Sequence, residues 1–272
     1  MTDSECRVIV LVISRAGASN RWDKERAVWL RIARSTPPCI RVHLLEGDAS
    51  ADTDVVMRCP FKDSYTPGIY KKTVFGVKTT LSMYPKAEFI VRTNLSTFIL
   101  WSRLIEYLTI VRPTYSGVRV NPGQWVNGWG IVMNRTIASL FVSDHAQRSI
   151  DATSVPDDVM IGRVLNEHGF PCMMRDTTIR DYPLISYLWR YDLSLADNTK
   201  RISTKPDCVF IRLHSYNFDA EKYKGAVLYL IGSRHPPWRS RISLSTSRQL
   251  SHLHKVQMQN ILSSKKKSTS KT

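Results

Sequence analysis

The sequence predicts an α/β domain with a mostly parallel central sheet flanked by helices. Three observations carry this reading. Residues 7–14 (RVIVLVIS) form a near-continuous apolar, β-branched run, the pattern of a strand buried on both faces in a parallel sheet. Strand-like and helix-like stretches then alternate along the chain, the rhythm of layered α/β proteins. Finally, 272 residues at 43% hydrophobic and 10% aromatic suffice for one domain with a full core, and no Pro/Gly/Ser-rich stretch in the middle marks a linker.

The elements follow in order. After the first strand and an Arg-Ala-Gly-Ala-Ser-Asn turn, a helix is expected over 22–32, carrying Ala27, Val28, Leu30 and Ile32. Residues 40–45 read as a second strand ended by Gly47-Asp48, and 54–57 as a short third one. Beyond Pro67-Gly68 a helix is expected over 70–83, closed by Pro85. Then come a strand over 87–91 and a helix over 102–111. A glycine-bearing stretch, 123–130 (GQWVNGWG), leads into apolar 131–133 and a helix over 137–142. Pro156-Asp157-Asp158 opens a helix over 159–168, and 201–230 reads as strand, loop, helix and short strand. Residues 1–232 are assigned to the domain, 233–262 to a basic extension, and 263–272 (SSKKKSTSKT) to a disordered Ser/Lys tail. No internal repeat is present.

The formal charge of +16 is concentrated at one end. Residues 222–272 hold 11 Lys/Arg and no Asp/Glu, which leaves 28 basic against 23 acidic groups in residues 1–221. The body therefore need not be a nucleic-acid-binding face. The tail suits an anionic membrane surface or nucleic acid, or is simply a solvated segment. Five cysteines without a C-x-x-C pair argue against a zinc ribbon or a disulfide framework and favour a reducing compartment. No signal-peptide pattern and no apolar run of about 18 residues is visible, so a cytoplasmic or peripheral membrane location is expected.

In such sheets ligands sit beyond the carboxyl ends of the strands. This singles out Ser14-Arg15, Asp63-Ser64 and Arg92-Thr93-Asn94. Four stretches also stand out in order: Phe61-Lys-Asp-Ser-Tyr65 with Tyr70-Lys-Lys-Thr73, then residues 87–99 (AEFIVRTNLSTFI), then Asn127-Gly-Trp-Gly-Ile-Val-Met-Asn-Arg135, then Pro156-Asp-Asp-Val-Met-Ile-Gly162. They resemble, respectively, the D-x-x-D-S-Y/L-T-x-K-T, K-T-D-D-D-V-F-V, S-G-x-G-Y-V-x-S and E-D-V-x-x-G segments of glycosyltransferase family 31, the β-1,3-galactosyltransferase, N-acetylglucosaminyltransferase and Fringe group. The resemblance spans about residues 7–225. It implies a Rossmann-like domain of the GT-A type and an inverting transfer from a nucleotide sugar, a UDP-sugar, to a hydroxyl of a glycan or glycoprotein acceptor. Asp158 then takes the place of the general base, needed because a sugar hydroxyl is a poor nucleophile until its proton is removed. Asp157 stands where the family has Glu. Both aspartates also suit helix capping, since acidic groups are favoured at a helix N-terminus. Trp125, Asn127, Gly128 and Trp129 fall on the acceptor side.

One departure matters most. In the family, the carboxylate triplet holds Mn²⁺ against the diphosphate; here the positions are Asn94, Leu95 and Ser96. Leucine cannot ligate, and hard cations prefer carboxylates to neutral oxygens. No metal cofactor is therefore expected, Mn²⁺ included, with a metal-dependent enzyme of unusual site kept as an alternative. Arginine or lysine can stabilise a diphosphate leaving group instead. Arg92 and Arg15 are candidates, with Lys72 in the first motif and with Arg212 and His214 in Phe210-Ile-Arg-Leu-His-Ser215. Each also has an ordinary role open to it, as a solvated strand-end charge or a half-buried histidine. Two other functional classes stay open: a fold of this type that binds without catalysis, and a nucleic-acid-binding protein acting through its basic tail, which lacks any recognised nucleic-acid motif. Asn94-Leu-Ser96 and Asn134-Arg-Thr136 match the N-glycosylation pattern by chance.

Overall fold

The computed structural model describes residues 6–15, 20–47, 53–119, 125–143, 155–170, 185–188, 197, 200–201 and 208–212. The proposed extension and tail lie outside these residues, as do His214 and the segment after it. The strands are β1 (Val8–Ile13), β2 (Ile40–Glu46), β3 (Val56–Arg58), β4 (Phe89–Asn94), β5 (Thr97–Ile99), β6 (Tyr115–Arg119), β7 (Val126–Asn134), β8 (Ile185–Leu188) and β9 (Cys208–Arg212). The helices are α1 (Asn20–Ala33), α2 (Gly68–Met83), α3 (Trp101–Ile110), α4 (Arg135–Phe141) and α5 (Asp157–Glu167). Six strands form one sheet in the order β3-β2-β1-β4-β7-β6; three more form a second sheet, β5-β9-β8. β1, β2, β3 and β4 are mutually parallel, whereas β7 is antiparallel to β4 and β6 to β7. This is the expected α/β architecture.

β1 explains the layering. All six of its residues are buried, and side chains alternate between faces. Val8, Val10 and Val12 pack with Trp29 and Ile32 of α1 and with Leu104 and Leu108 of α3. Ile9, Leu11 and Ile13 pack on the other face with Val74 and Val77 of α2, Ile137 of α4 and Ile161 of α5. Each such side chain contributes about 1.5–3 kcal/mol by leaving water, so the two-faced apolar run fixes the centre of the sheet. The indole of Trp29 stacks on Phe98 at 5.3 Å and donates to the Leu95 carbonyl at 3.0 Å, tying α1 to the chain just past β4.

Polar residues fix the helix ends. Asn134 caps α4, its side-chain oxygen accepting from the Ile137 N–H at 2.9 Å. Arg135 donates to the Leu81 and Tyr84 carbonyls at 3.2 and 3.1 Å, satisfying acceptors at the end of α2. Asn134 in its chance glycosylation pattern is thus a helix cap.

The structure corrects three boundaries. The strand expected over 87–91 runs on through Arg92, Thr93 and Asn94, because buried partners meet these polar side chains and the ladder continues. The glycine-bearing stretch, given no element of its own by the sequence, is strand from Val126 onward. Its glycines answer to packing: a Cβ at Gly130 would lie 2.7 Å from the Phe210 ring, and one at Gly117 would lie 2.1 Å from the Gly130 carbonyl oxygen. The third strand begins at Val56, not at residue 54. β5, β6 and β8 were not expected; each is short or polar enough to lack an apolar period of its own.

Candidate functional site

The strand order 3-2-1-4 places a topological switch point between β1 and β4. α1 follows β1 on one face and α2 precedes β4 on the other, so the chain diverges at the carboxyl ends of these strands. Two polar clusters occupy this end of the sheet.

The first joins the ends of β1 and β2. Ser14 is 3% exposed and donates through its hydroxyl to Glu46 at 2.7 Å. Arg26 of α1 grips the same carboxylate, Nε to Oε1 at 2.6 Å and Nη2 to Oε2 at 3.0 Å. Lys72 of α2, also 3% exposed, donates to the Ser14 carbonyl at 2.5 Å and forms an ion pair with Asp63. Asp63 in turn accepts from the Gly47 N–H at 3.1 Å. The Asp63/Lys72 spacing thus closes a buried bracket between α2 and the strand ends. Arg15, the next residue after Ser14, is exposed. Glu46 and Arg26 escaped sequence reading; a glutamate directly after the apolar Leu44-Leu45 pair was their only signal.

The second cluster lies where β4, β7, α5 and the second sheet meet. Because β7 runs antiparallel to β4, with Arg92 opposite Ile131, the residues before Ile131 lie beside and beyond the end of β4. The Trp129 carbonyl accepts from the Thr93 hydroxyl at 2.8 Å. Arg92, the residue expected to face a diphosphate, is buried. Its Nη1 donates to the Gly128 carbonyl and its Nη2 to the Asp157 carboxylate. Gly128 has no room for a side chain, since a Cβ would lie 2.6 Å from Arg92 Nη1. Burial pushes the Asp157 carboxyl above its ordinary range; Arg92 pulls it down and Asp158 pushes it up. Asp157 is therefore an ion-pair partner, and α5, with Pro156 at its N-cap, has no side-chain cap.

Asp158 points differently. Its Oδ2 accepts from the Gly128 N–H at 3.1 Å and its Oδ1 from the Val159 N–H at 2.9 Å. It is half-buried. Gly128 therefore sits between the two aspartates, its carbonyl on the Arg92 side and its N–H on Asp158. Of the other residues expected on the acceptor side, Asn127 accepts from the Trp129 N–H at 3.0 Å, a local turn contact, and Trp125 is half-buried just before β7.

Asn94, Leu95 and Ser96 each have partners within the fold. Leu95 is 3% exposed and belongs to the core beside Trp29. The Asn94 amide oxygen accepts from Arg212 Nη1 at 2.7 Å, from the Thr97 hydroxyl at 3.0 Å and from the Ser96 hydroxyl at 3.1 Å. Its amide nitrogen donates to the Gly128 carbonyl at 3.4 Å. Arg212 ends β9 opposite Thr97, donates to the Thr97 hydroxyl at 3.3 Å, and lies 4.8 Å from the centroid of the Trp129 ring. Thr97, missed in the sequence, completes this group. A divalent cation does not fit this donor set. The oxygen nearest to hand already accepts three hydrogen bonds, one of them from a guanidinium, and no group of three or more His, Cys, Asp or Glu is gathered for a metal among the described residues. Among them, too, no helix is long and apolar enough to cross a membrane.

No protein-family model matches the chain, and no curated protein sequence matches it. Among solved structures, it is similar to a glycosyltransferase involved in the glycosylation of the major capsid of PBCV-1, at 10% identity and a TM-score of 0.41, over 81% of this chain and 98% of that one. It is also similar to the apo form of the glycosyltransferase GlyE of Streptococcus pneumoniae TIGR4, at 11% identity and a TM-score of 0.45, over 82% of this chain and 60% of that one.

Proposed function

We propose that the chain is an inverting, metal-independent glycosyltransferase that moves a sugar from a UDP-sugar to a hydroxyl of a glycan or glycoconjugate acceptor. The observation that supports it best is the placing of Asp158. A half-buried carboxylate stands at the carboxyl end of the sheet, beside the switch point, and the Gly128 N–H fixes its direction. Each of its oxygens accepts one backbone N–H, which leaves lone pairs for an acceptor proton. In the transfer, the acceptor oxygen bonds to the anomeric carbon as its proton passes to Asp158, and the bond from that carbon to the diphosphate oxygen breaks. The four-motif resemblance supports the donor class. The donor-set misfit at Asn94 supports independence from a metal.

A second reading has its own observation. Because both oxygens of Asp158 already accept hydrogen bonds from the fold, the residue also suits a purely structural role in a binding module without catalysis. Asp158→Asn separates the two. It keeps an acceptor for Gly128 but removes the base. Transfer is measured with a panel of UDP-sugars and glycan acceptors, alongside melting temperature and donor binding. The catalytic reading expects unchanged melting and donor binding with turnover reduced by about 10²–10⁴. Full transfer by the variant refutes the base assignment, and no transfer by the wild type across the panel favours the binding module. Donor binding unaffected by EDTA is expected throughout, whereas a tenfold tightening with Mn²⁺, about 1.4 kcal/mol, counts against metal independence.

A further inference from the structure

We propose that Arg92 is a positioning residue for transfer: by spanning Gly128 and Asp157 it keeps the Asp158 carboxylate aimed, without touching either substrate. The inference rests on the general-base reading of Asp158 above and assigns what holds that base in place.

Three observations carry it. The first is how Asp158 is held. Of the two hydrogen bonds to its carboxylate, the one from the Val159 N–H at 2.9 Å belongs to α5 itself and travels with the helix. The one from the Gly128 N–H at 3.1 Å refers the carboxylate to the sheet. The aim of Asp158 therefore depends on the separation between β7 at Gly128 and the first turn of α5. The second observation is what sets that separation. Arg92 Nη1 donates to the Gly128 carbonyl and Nη2 pairs with Asp157, the residue before Asp158. One planar guanidinium thus bridges the two supports of the base with a fixed span. Pro156 gives α5 no side-chain cap that would fix its first turn instead. Among the described residues Arg92 Nε makes no hydrogen bond, so the two Nη contacts alone set the direction of the guanidinium. The third observation is inaccessibility. Arg92 is 2% exposed, so its influence on transfer runs through its neighbours.

Gly128 fits the same device. A Cβ there would lie 2.6 Å from Arg92 Nη1 and 3.7 Å from Asp158 Cβ. The missing side chain lets the arginine and the aspartate close on one residue from two directions. A general base must stand within about 2.6–3.2 Å of the proton it takes, and a misplacement of about 1 Å can cost about 10²-fold in rate. Loosening the bridge lets α5 drift from β7 and acts on turnover. It leaves the Ser14–Glu46–Arg26 and Lys72–Asp63 contacts at the ends of β1 and β2 untouched.

The test is steady-state transfer by the full chain, with the UDP-sugar and glycan acceptor of the panel above that the wild type uses fastest. Arg92→Lys, Asp157→Glu, Asp158→Asn and their pairwise combinations are compared, with melting temperature for each. Arg92→Lys keeps the charge but shortens the reach and loses the planar span. In folded protein its kcat is expected to fall about 10–100-fold, with donor KM changed less than about twofold. Adding Asp157→Glu, which lengthens the acid side by one methylene, recovers part of that loss. In the Asp158→Asn background Arg92→Lys lowers turnover by less than about twofold, because the base that it aims is already gone. If Arg92→Lys does not fold, Asp157→Glu alone carries the test: it keeps both charges, moves the first turn of α5 and lowers kcat at constant donor KM. Wild-type kcat in the folded single variants overturns the inference and leaves the base assignment intact. So does a loss of equal size with and without Asp158, the mark of a merely structural role. A loss that falls on donor KM instead returns Arg92 to donor binding and overturns it too. Full transfer by Asp158→Asn, or none by the wild type across the panel, refutes the base reading and this inference with it.

Discussion

Replacing Arg92 by methionine tests whether this arginine belongs to the scaffold or to the ligand. Methionine keeps most of the stem volume and removes the guanidinium. Two contacts go: the hydrogen bond to the Gly128 carbonyl, which is then left with the Asn94 amide at 3.4 Å, and the ion pair to Asp157. The acceptor alone costs about 1–3 kcal/mol, and breaking a buried pair from one side costs about 3–5 kcal/mol in total at neutral pH. The pH dependence has a definite sign. Burial already raises the Asp157 carboxyl, and Arg92 opposes that. Without Arg92 the folded-state value rises further. A carboxyl raised in the fold favours the folded state below its unfolded pKa of about 3.9 and loses that contribution as pH rises through the folded value. The gap between wild type and Arg92→Met is therefore wide at pH 7 and narrows toward acid. Asp157→Asn also destabilises at pH 7, because it leaves the buried Arg92 guanidinium without its counter-charge, but by less than Arg92→Met, because the amide oxygen still accepts from Arg92. Urea unfolding of the three proteins at neutral and mildly acidic pH measures this. Arg92→Met within about 1 kcal/mol of wild type, or a gap that widens toward acid, refutes the scaffold argument. Intact stability with lost UDP affinity returns Arg92 to the ligand.

Two further outcomes are expected. Gly128→Ala and Gly130→Ala each destabilise by about 1–3 kcal/mol, through Arg92 Nη1 at 2.6 Å and the Phe210 ring at 2.7 Å; only Gly128→Ala also lowers transfer in folded protein, because only it displaces the partner of Asp158, and equal activity losses argue against that link. Deleting residues 263–272 leaves melting temperature and UDP binding unchanged and weakens any salt-sensitive binding to anionic vesicles or nucleic acid; unfolding on deletion contradicts the reading of this segment as a disordered tail.

The apolar architecture was legible because burial writes a period. β1 showed both faces apolar, and both faces are packed. The same logic misjudged β4, where apolarity stops at Val91 but the strand continues to Asn94. A sequence shows that Arg92 is charged; it does not show that Asp157, 65 positions later, meets that charge. Gly128 and Gly130 gave no element of their own for a related reason. Glycine signals either a turn or a close approach, and here the approaching atoms come from Arg92 and Phe210, distant in sequence. Asp158 stands at the start of a helix, as the Pro156-Asp157-Asp158 signal implied, while its contact with Gly128 was visible only as motif order. The edge strands β5 and β6 have no period of their own, so their pairing with β9 and β7 was not visible.

The ionic pattern at the carboxyl end of the sheet sorts its residues into two kinds. Lys72 meets Asp63, Arg26 meets Glu46, and Arg92 meets Asp157. In each pair at least one member is nearly inaccessible to water, and each ties one element to another: α2 to the chain beyond β3, α1 to β2, β4 to α5. A pair broken from one side leaves a buried charge, so such couples hold a cleft in shape. Asp158 is built otherwise: backbone N–H groups orient its carboxylate. Contacts of that kind set the direction of the carboxylate and, on the reading proposed above, leave it to take a proton from an acceptor hydroxyl. That reading follows from this contrast, not from the excess of basic residues, most of which lies in residues 222–272.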